Sequence, residues 1–137
     1  MSEYQISNLS SKDVTAVLYS PAEFKLMPAF SRNIMLLYTE VAGCGHVEGI
    51  QDLLSALALG QRVILRREPE NPYDEQAVLV LNQNMEKLGY IPRRQNTVIA
   101  NLMDAGKSLF GLIDWIDAEA AITDPWKALK ITVFMED

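Results

Sequence analysis

Two β-prone runs, Gln61 to Arg66 and Gln76 to Leu81, are joined by Arg67-Glu68-Pro69-Glu70-Asn71-Pro72-Tyr73-Asp74-Glu75, a linker that restricts the fold more than any other segment. Pro69 and Pro72 each fix φ and bias the residue before them towards extended backbone. Asn71 and Asp74 are residue types that hydrogen-bond nearby backbone amides in turns. The chain therefore reverses through a stiffened loop that presents one aromatic, Tyr73. This is more construction than a reversal needs. Two readings stand, a structural turn or a loop facing a ligand, since rigidly carried loops are where binding residues concentrate.

The rest of the chain is punctuated in the same way. Ile34 to Ala42 is an apolar run that suits a strand buried on both faces, and Gly43-Cys44-Gly45-His46 breaks it. Ile50, Leu53, Leu54 and Leu57 fall at helical spacing, predicting a short amphipathic helix over 49–59 that stops at Gly60. A fourth strand is expected over Met85 to Tyr90 after a turn at Asn82-Gln83-Asn84, ending at Pro92. Val98, Ile99, Leu102 and Met103 predict a second helix between Arg94 and Gly106. Leu109 to Asp117 and Ala128 to Phe134 then read as strands around a turn at Thr123-Asp124-Pro125-Trp126. Before residue 35, one short strand near Val14 to Tyr19 and a helical turn opened by Ser20-Pro21 are expected. Five or six strands with two short helices and no βαβ periodicity imply a mainly β fold. A small, partly open β-barrel shields its sheet edges best.

Composition narrows the function. A chain of 137 residues suits one domain, and no apolar run approaches the roughly 20 residues of a membrane span. The start, Met1-Ser2-Glu3-Tyr4-Gln5, lacks the pattern of a signal peptide, so a soluble, cytoplasmic protein without membrane partners is expected. Cys44 is the only cysteine and His46 the only histidine, too few soft ligands for a closed zinc site. No metal and no cofactor are expected. The chain also lacks a Gly-x-x-x-x-Gly-Lys-Ser/Thr loop, so it is not itself a nucleotide-driven motor.

The net charge of −6 argues against coating duplex DNA through many phosphate contacts. Its distribution is uneven. Residues 1–59 carry three basic and six acidic side chains, residues 60–95 six and five, and residues 96–137 three and seven. The locally non-acidic middle section is the one that holds the proline loop. Catalysis finds little support: Asp74 and Glu75 are adjacent and would face opposite sides of an extended strand. Cys44 and His46 flank a glycine better suited to a bend than to a thiol-imidazole pair.

Asn71-Pro72-Tyr73-Asp74 followed by Ala77-Val78-Leu79-Val80, then Leu88-Gly89-Tyr90-Ile91-Pro92 and the earlier Val41-Ala42-Gly43, together resemble the HIRAN domain over roughly Met35 to Val133. That family is found at the N-terminus of some SWI/SNF-type helicases and as free-standing bacterial proteins. The resemblance implies an OB-like barrel over 35–137, with 1–34 as an N-terminal extension. It also implies a non-catalytic module that binds single-stranded DNA at its 3′ end, in a DNA-repair setting, with a helicase or nuclease as partner.

By the same resemblance Tyr73 and Asp74 lie at the pocket for the DNA end, Tyr73 stacking on a terminal base and Asp74 accepting a hydrogen bond from the 3′-hydroxyl or tying its own loop. Arg93 would neutralise a phosphate, Tyr90 would line the pocket or face the core, and Asn71 would hold the loop or meet the nucleic acid. DNA-binding members place an Arg-Tyr pair where this chain has Gly45-His46, so an arginine contact is lost and His46 keeps only a flat ring for stacking. Arg66 and Arg67 are the accessory candidates. The alternative is a protein-interaction or assembly module, with Tyr19, Phe24, Met27, Phe30, Trp115 and Trp126 as a contact surface.

Overall fold

The computed structural model describes residues 33–136, and the strand and helical turn expected before residue 33 lie outside them. Six antiparallel strands form one sheet: β1 (Asn33–Glu40), β2 (Arg62–Arg67), β3 (Val78–Leu81), β4 (Lys87–Tyr90), β5 (Leu109–Ile116) and β6 (Leu129–Glu136), in the spatial order β1-β6-β5-β2-β3-β4. The two edges curl towards each other. Beyond β1, Ala42 bridges Tyr90 of β4, the Ala42 amide donating to the Tyr90 carbonyl (2.7 Å) and the Tyr90 amide to the Ala42 carbonyl (2.8 Å). One bridge closes that seam, and the result is a partly open barrel.

Gly89 makes the closure possible. A Cβ on it would stand 2.4 Å from the Ala42 carbonyl oxygen and 2.7 Å from a Val41 methyl, so the backbones approach only because no side chain intervenes. Inside the barrel, Val41, Leu54, Val63, Val80, Leu88, Ile113, Leu129, Ile131 and Val133 are buried together. Each contributes at most about 1.5–3 kcal/mol from burial. Helix α1 (Ile50–Ser55) lays Ile50 and Leu54 on this core, and α2 (Asn96–Asp104) lays Ile99 and Ala100.

The structure corrects three expectations. The first apolar run is not buried on both faces: β1 is an edge strand ending at Glu40, with Ile34, Met35 and Tyr38 exposed. The fourth strand starts at Lys87, not Met85, because the Asn82 side chain accepts from the amides of Asn84 and Glu86 and widens the hairpin, placing Met85 at φ 66°. Two helices were too few. The presumed turn at 123–126 belongs to a helical connection, α3 (Ala120–Thr123) followed by a 3₁₀ turn at Pro125–Lys127, and further 3₁₀ turns occupy Cys44–His46 and Arg93–Gln95.

Candidate nucleic-acid interface

The proline loop is held from inside. Asn71 Oδ1 accepts from the amides of Tyr73 (2.8 Å) and Asp74 (3.1 Å), while Asp74 Oδ1 accepts from the Gln76 amide (2.9 Å). These are the side-chain-to-backbone turns that asparagine and aspartate favour. Asn71 Nδ2 in turn donates to Glu68 Oε1 (2.8 Å), which also accepts from the Tyr90 hydroxyl (2.7 Å). One carboxylate thus orients both the loop asparagine and the β4 tyrosine.

From α2, Asn96 donates its Nδ2 to Asp74 Oδ2 (2.8 Å) from a buried position. The Arg67 guanidinium fastens the far end of the loop. It donates to the carbonyls of Ala77 (2.8 Å) and Glu75 (3.0 Å) and makes a two-point pair with Asp104 of α2, at 2.9 and 3.2 Å.

What this scaffold presents is a cavity of about 250 Å³ lined by Ala42, Asn71, Tyr73, Asp74, Ala77, Tyr90, Ile91, Arg93 and Asn96. Tyr73 is 84% exposed at its mouth. The Arg93 side chain is 78% exposed, with Nε 3.9 Å from Asp74 Oδ2. Hydrogen bonds from the Gln76 amide and Asn96, with Arg93 nearby, hold the Asp74 carboxyl below its usual range. Burial and the Glu68 carboxylate push Tyr90 up to about 12, so its hydroxyl stays a donor at neutral pH.

Five of the eight sequence candidates meet here: Asn71, Tyr73, Asp74, Tyr90 and Arg93. His46 lines a separate cavity that shares only Ala42 with this one. Arg66 is exposed on β2 and lines neither, and Arg67 is occupied in holding the loop. Glu68 and Asn96 were not anticipated. Glu68 sits in the loop sequence beside a proline, but its partner Tyr90 is 22 positions away, as Asp74 is from Asn96. Cys44 is buried with its thiol donating to the Val41 carbonyl, and burial raises it to about 11, opposite to what a nucleophilic thiolate requires.

Residues 34–136 match the family model described as the HIRAN domain. The chain belongs to the HIRAN domain family. Over 60 residues, 44% of this chain, it is 37% identical to the helicase-like transcription factor of Oryctolagus cuniculus and 33% identical to that of Homo sapiens. The matched stretch is 6% of the length of those relatives. Among solved structures, a protein from Lactobacillus plantarum is similar with a TM-score of 0.70 and 32% identity, over 78% of this chain and 98% of that one. The HIRAN domain of human HLTF shares the fold, with a TM-score of 0.59 and 21% identity over 76% of this chain and 78% of that one. In this HIRAN domain no described helix is long and apolar enough to cross a membrane.

The Glu68 network carries a pH signature. Hydrogen bonds from Asn71 and Tyr90 lower the Glu68 carboxyl from its ordinary value of 4.5. A group depressed in the folded state contributes stability that is present above its unfolded value and lost as pH falls through the folded one. The melting temperature should therefore drop on acidification below 4.5, and Glu68→Gln, followed by circular dichroism, should lower stability at neutral pH while making that acid limb shallower. An unchanged acid limb would show that Glu68 gains nothing from its two donors.

Proposed function

We propose that this HIRAN domain is a non-catalytic module that binds single-stranded DNA and receives its 3′ end in the Tyr73 cavity. The observation that carries the reading is the convergence at one cavity of an exposed aromatic, Tyr73, on a loop locked by its own hydrogen bonds, and an exposed arginine, Arg93, from the 3₁₀ turn that precedes α2. Tyr73 offers a face on which a terminal base stacks. Arg93 neutralises a backbone phosphate. Family membership supports a nucleic-acid ligand, and the helicase-like relatives support a partnership with a helicase or nuclease.

Asp74 supplies the end preference. Its Oδ2 accepts from Asn96, yet a carboxylate oxygen has a second lone pair, which remains for a strand-terminal hydroxyl. A phosphate at the same place would meet the negative charge instead. A carboxylate inside a DNA site is thus better matched to the end of a strand than to its middle.

Fluorescence anisotropy with labelled oligonucleotides ending in a 3′-hydroxyl or a 3′-phosphate tests this. The wild type should prefer the hydroxyl, and Asp74→Asn should reduce that preference by about tenfold, the worth of one charge-assisted hydrogen bond. General attraction to the strand should stay or rise, since a negative charge is removed. Circular dichroism must show the Asp74→Asn loop still folded, because Gln76 and Asn96 also depend on this side chain. Equal and negligible binding of both oligonucleotides at low salt would defeat the whole reading. Full end preference in folded Asp74→Asn would defeat the hydroxyl contact alone.

A further inference from the structure

A second cavity, of about 450 Å³, shares only Ala42 with the lining of the Tyr73 site. Its apolar walls are Ala42, Ile50, Ala121, Ile122, Pro125 and Trp126, with His46 and Glu40 at its polar side. We propose that this cavity docks an apolar anchor side chain from a partner protein's segment, with lysine or arginine flanking the anchor.

The cavity is built rather than incidental. A Cβ at Gly45 would lie 2.9 Å from Pro125 Cγ and 3.3 Å from the Ala121 carbonyl oxygen, so the turn before α1 fits flush against the β5–β6 connection. The connection is pinned in turn, its Lys127 carbonyl accepting from the Trp115 indole at 2.7 Å. On this rigid wall Ile122 is 70% exposed and Trp126 57% exposed. Two large apolar side chains facing solvent from one short connection mark a contact surface, and tryptophan is the residue type that most often anchors one.

Charge selects the class of partner. The two segments that supply most of the walls are acidic: positions 40–52 hold Glu40, Glu48 and Asp52 with no lysine or arginine, and positions 114–127 hold Asp114, Asp117, Glu119 and Asp124 against Lys127 alone. Glu40 pairs with Arg94 at 2.7 Å and Asp124 approaches Lys127 at 4.0 Å. Among the described residues, the exposed Glu48, Asp52, Asp117 and Glu119 have no cation within 4.0 Å. Of the cavity's own lining only Glu40 is acidic, and these four stand in the segments that supply its walls, a net negative neighbourhood that a phosphodiester would avoid. A cationic peptide would be drawn to it, with its apolar residue desolvated in the cavity.

The probe is a fluorescein-labelled peptide, Gly-Ser-Arg-Lys-Leu-Phe-Lys-Arg-Gly, followed by anisotropy with the full chain at low salt. The wild type should bind it, with loss of binding when Leu-Phe becomes Ser-Ser or when the four basic residues become glutamate. Trp126→Ala and Ile122→Ser should each weaken it by at least about tenfold, the size of a contact-residue truncation, while leaving binding of a single-stranded oligonucleotide unchanged. Both side chains are exposed, and with two variants the test survives if one fails to fold. No binding of the peptide, or equal binding by both folded variants, overturns the proposal. So does a tenfold loss of oligonucleotide affinity in Trp126→Ala, which would make the cavity a seat for a base.

Discussion

Gly89→Ala is expected to cost about 3 kcal/mol or more, a fall in melting temperature of roughly 10–20 °C for a domain of this size. The added methyl has nowhere to go. Its position is 2.4 Å from the Ala42 carbonyl oxygen and 2.7 Å from Val41 Cγ1, one a backbone atom and the other a side-chain atom of the core. Relief requires Ala42 to retreat, which breaks both backbone hydrogen bonds of its bridge to Tyr90. Thermal melts followed by circular dichroism decide it. A shift of less than about 3 °C would mean that the seam is slack and the close approach unnecessary.

Tyr73→Ala should behave in the opposite way, leaving stability alone and removing function. The ring is 84% exposed, so the melting temperature should move little, as for most surface substitutions. Affinity for a single-stranded oligonucleotide should fall by about 5- to 150-fold, the range of roughly 1–3 kcal/mol for a lost base stack. Arg93→Ala is the companion variant. It should weaken different sequences alike and make the dependence of log affinity on log salt shallower by about 0.7, one phosphate contact on a single strand. If folded Tyr73→Ala binds as the wild type does while Arg93→Ala does not, binding is electrostatic and the aromatic platform has no role.

The strands were legible because apolar runs broken by glycine, proline and asparagine leave few alternatives, and the loop's internal bonds followed from having asparagine and aspartate in it. What escaped were facts about neighbours. Ile34 to Tyr38 has the composition of a central strand, and only the sheet order reveals that it lies at an edge. Arg66 and Arg67 look interchangeable in sequence. Period-two alternation sends one to solvent and the other into the carbonyls of Glu75 and Ala77. Asp124-Pro125 reads as a turn, yet proline also starts helical turns, and Ala120 to Thr123 packs as helix against Gly45 once that glycine leaves room. Asn96 gave no local signal, because its partner Asp74 is 22 positions distant, and Glu68 gave only half of one, since Asn71 is three positions away but Tyr90 is 22.

The Ala42–Tyr90 bridge joins the last residues of one sheet edge to the strand that carries a wall of the cavity, by two backbone hydrogen bonds. The site therefore straddles the line along which this barrel would unzip. Any ligand that touches both Ala42 and Tyr90 acts as a clasp across that line, and the free energy with which it binds the shut form adds directly to the free energy that keeps the barrel closed. Occupancy and closure become one linked equilibrium, so that mechanical integrity of the domain can report on whether its cavity is filled.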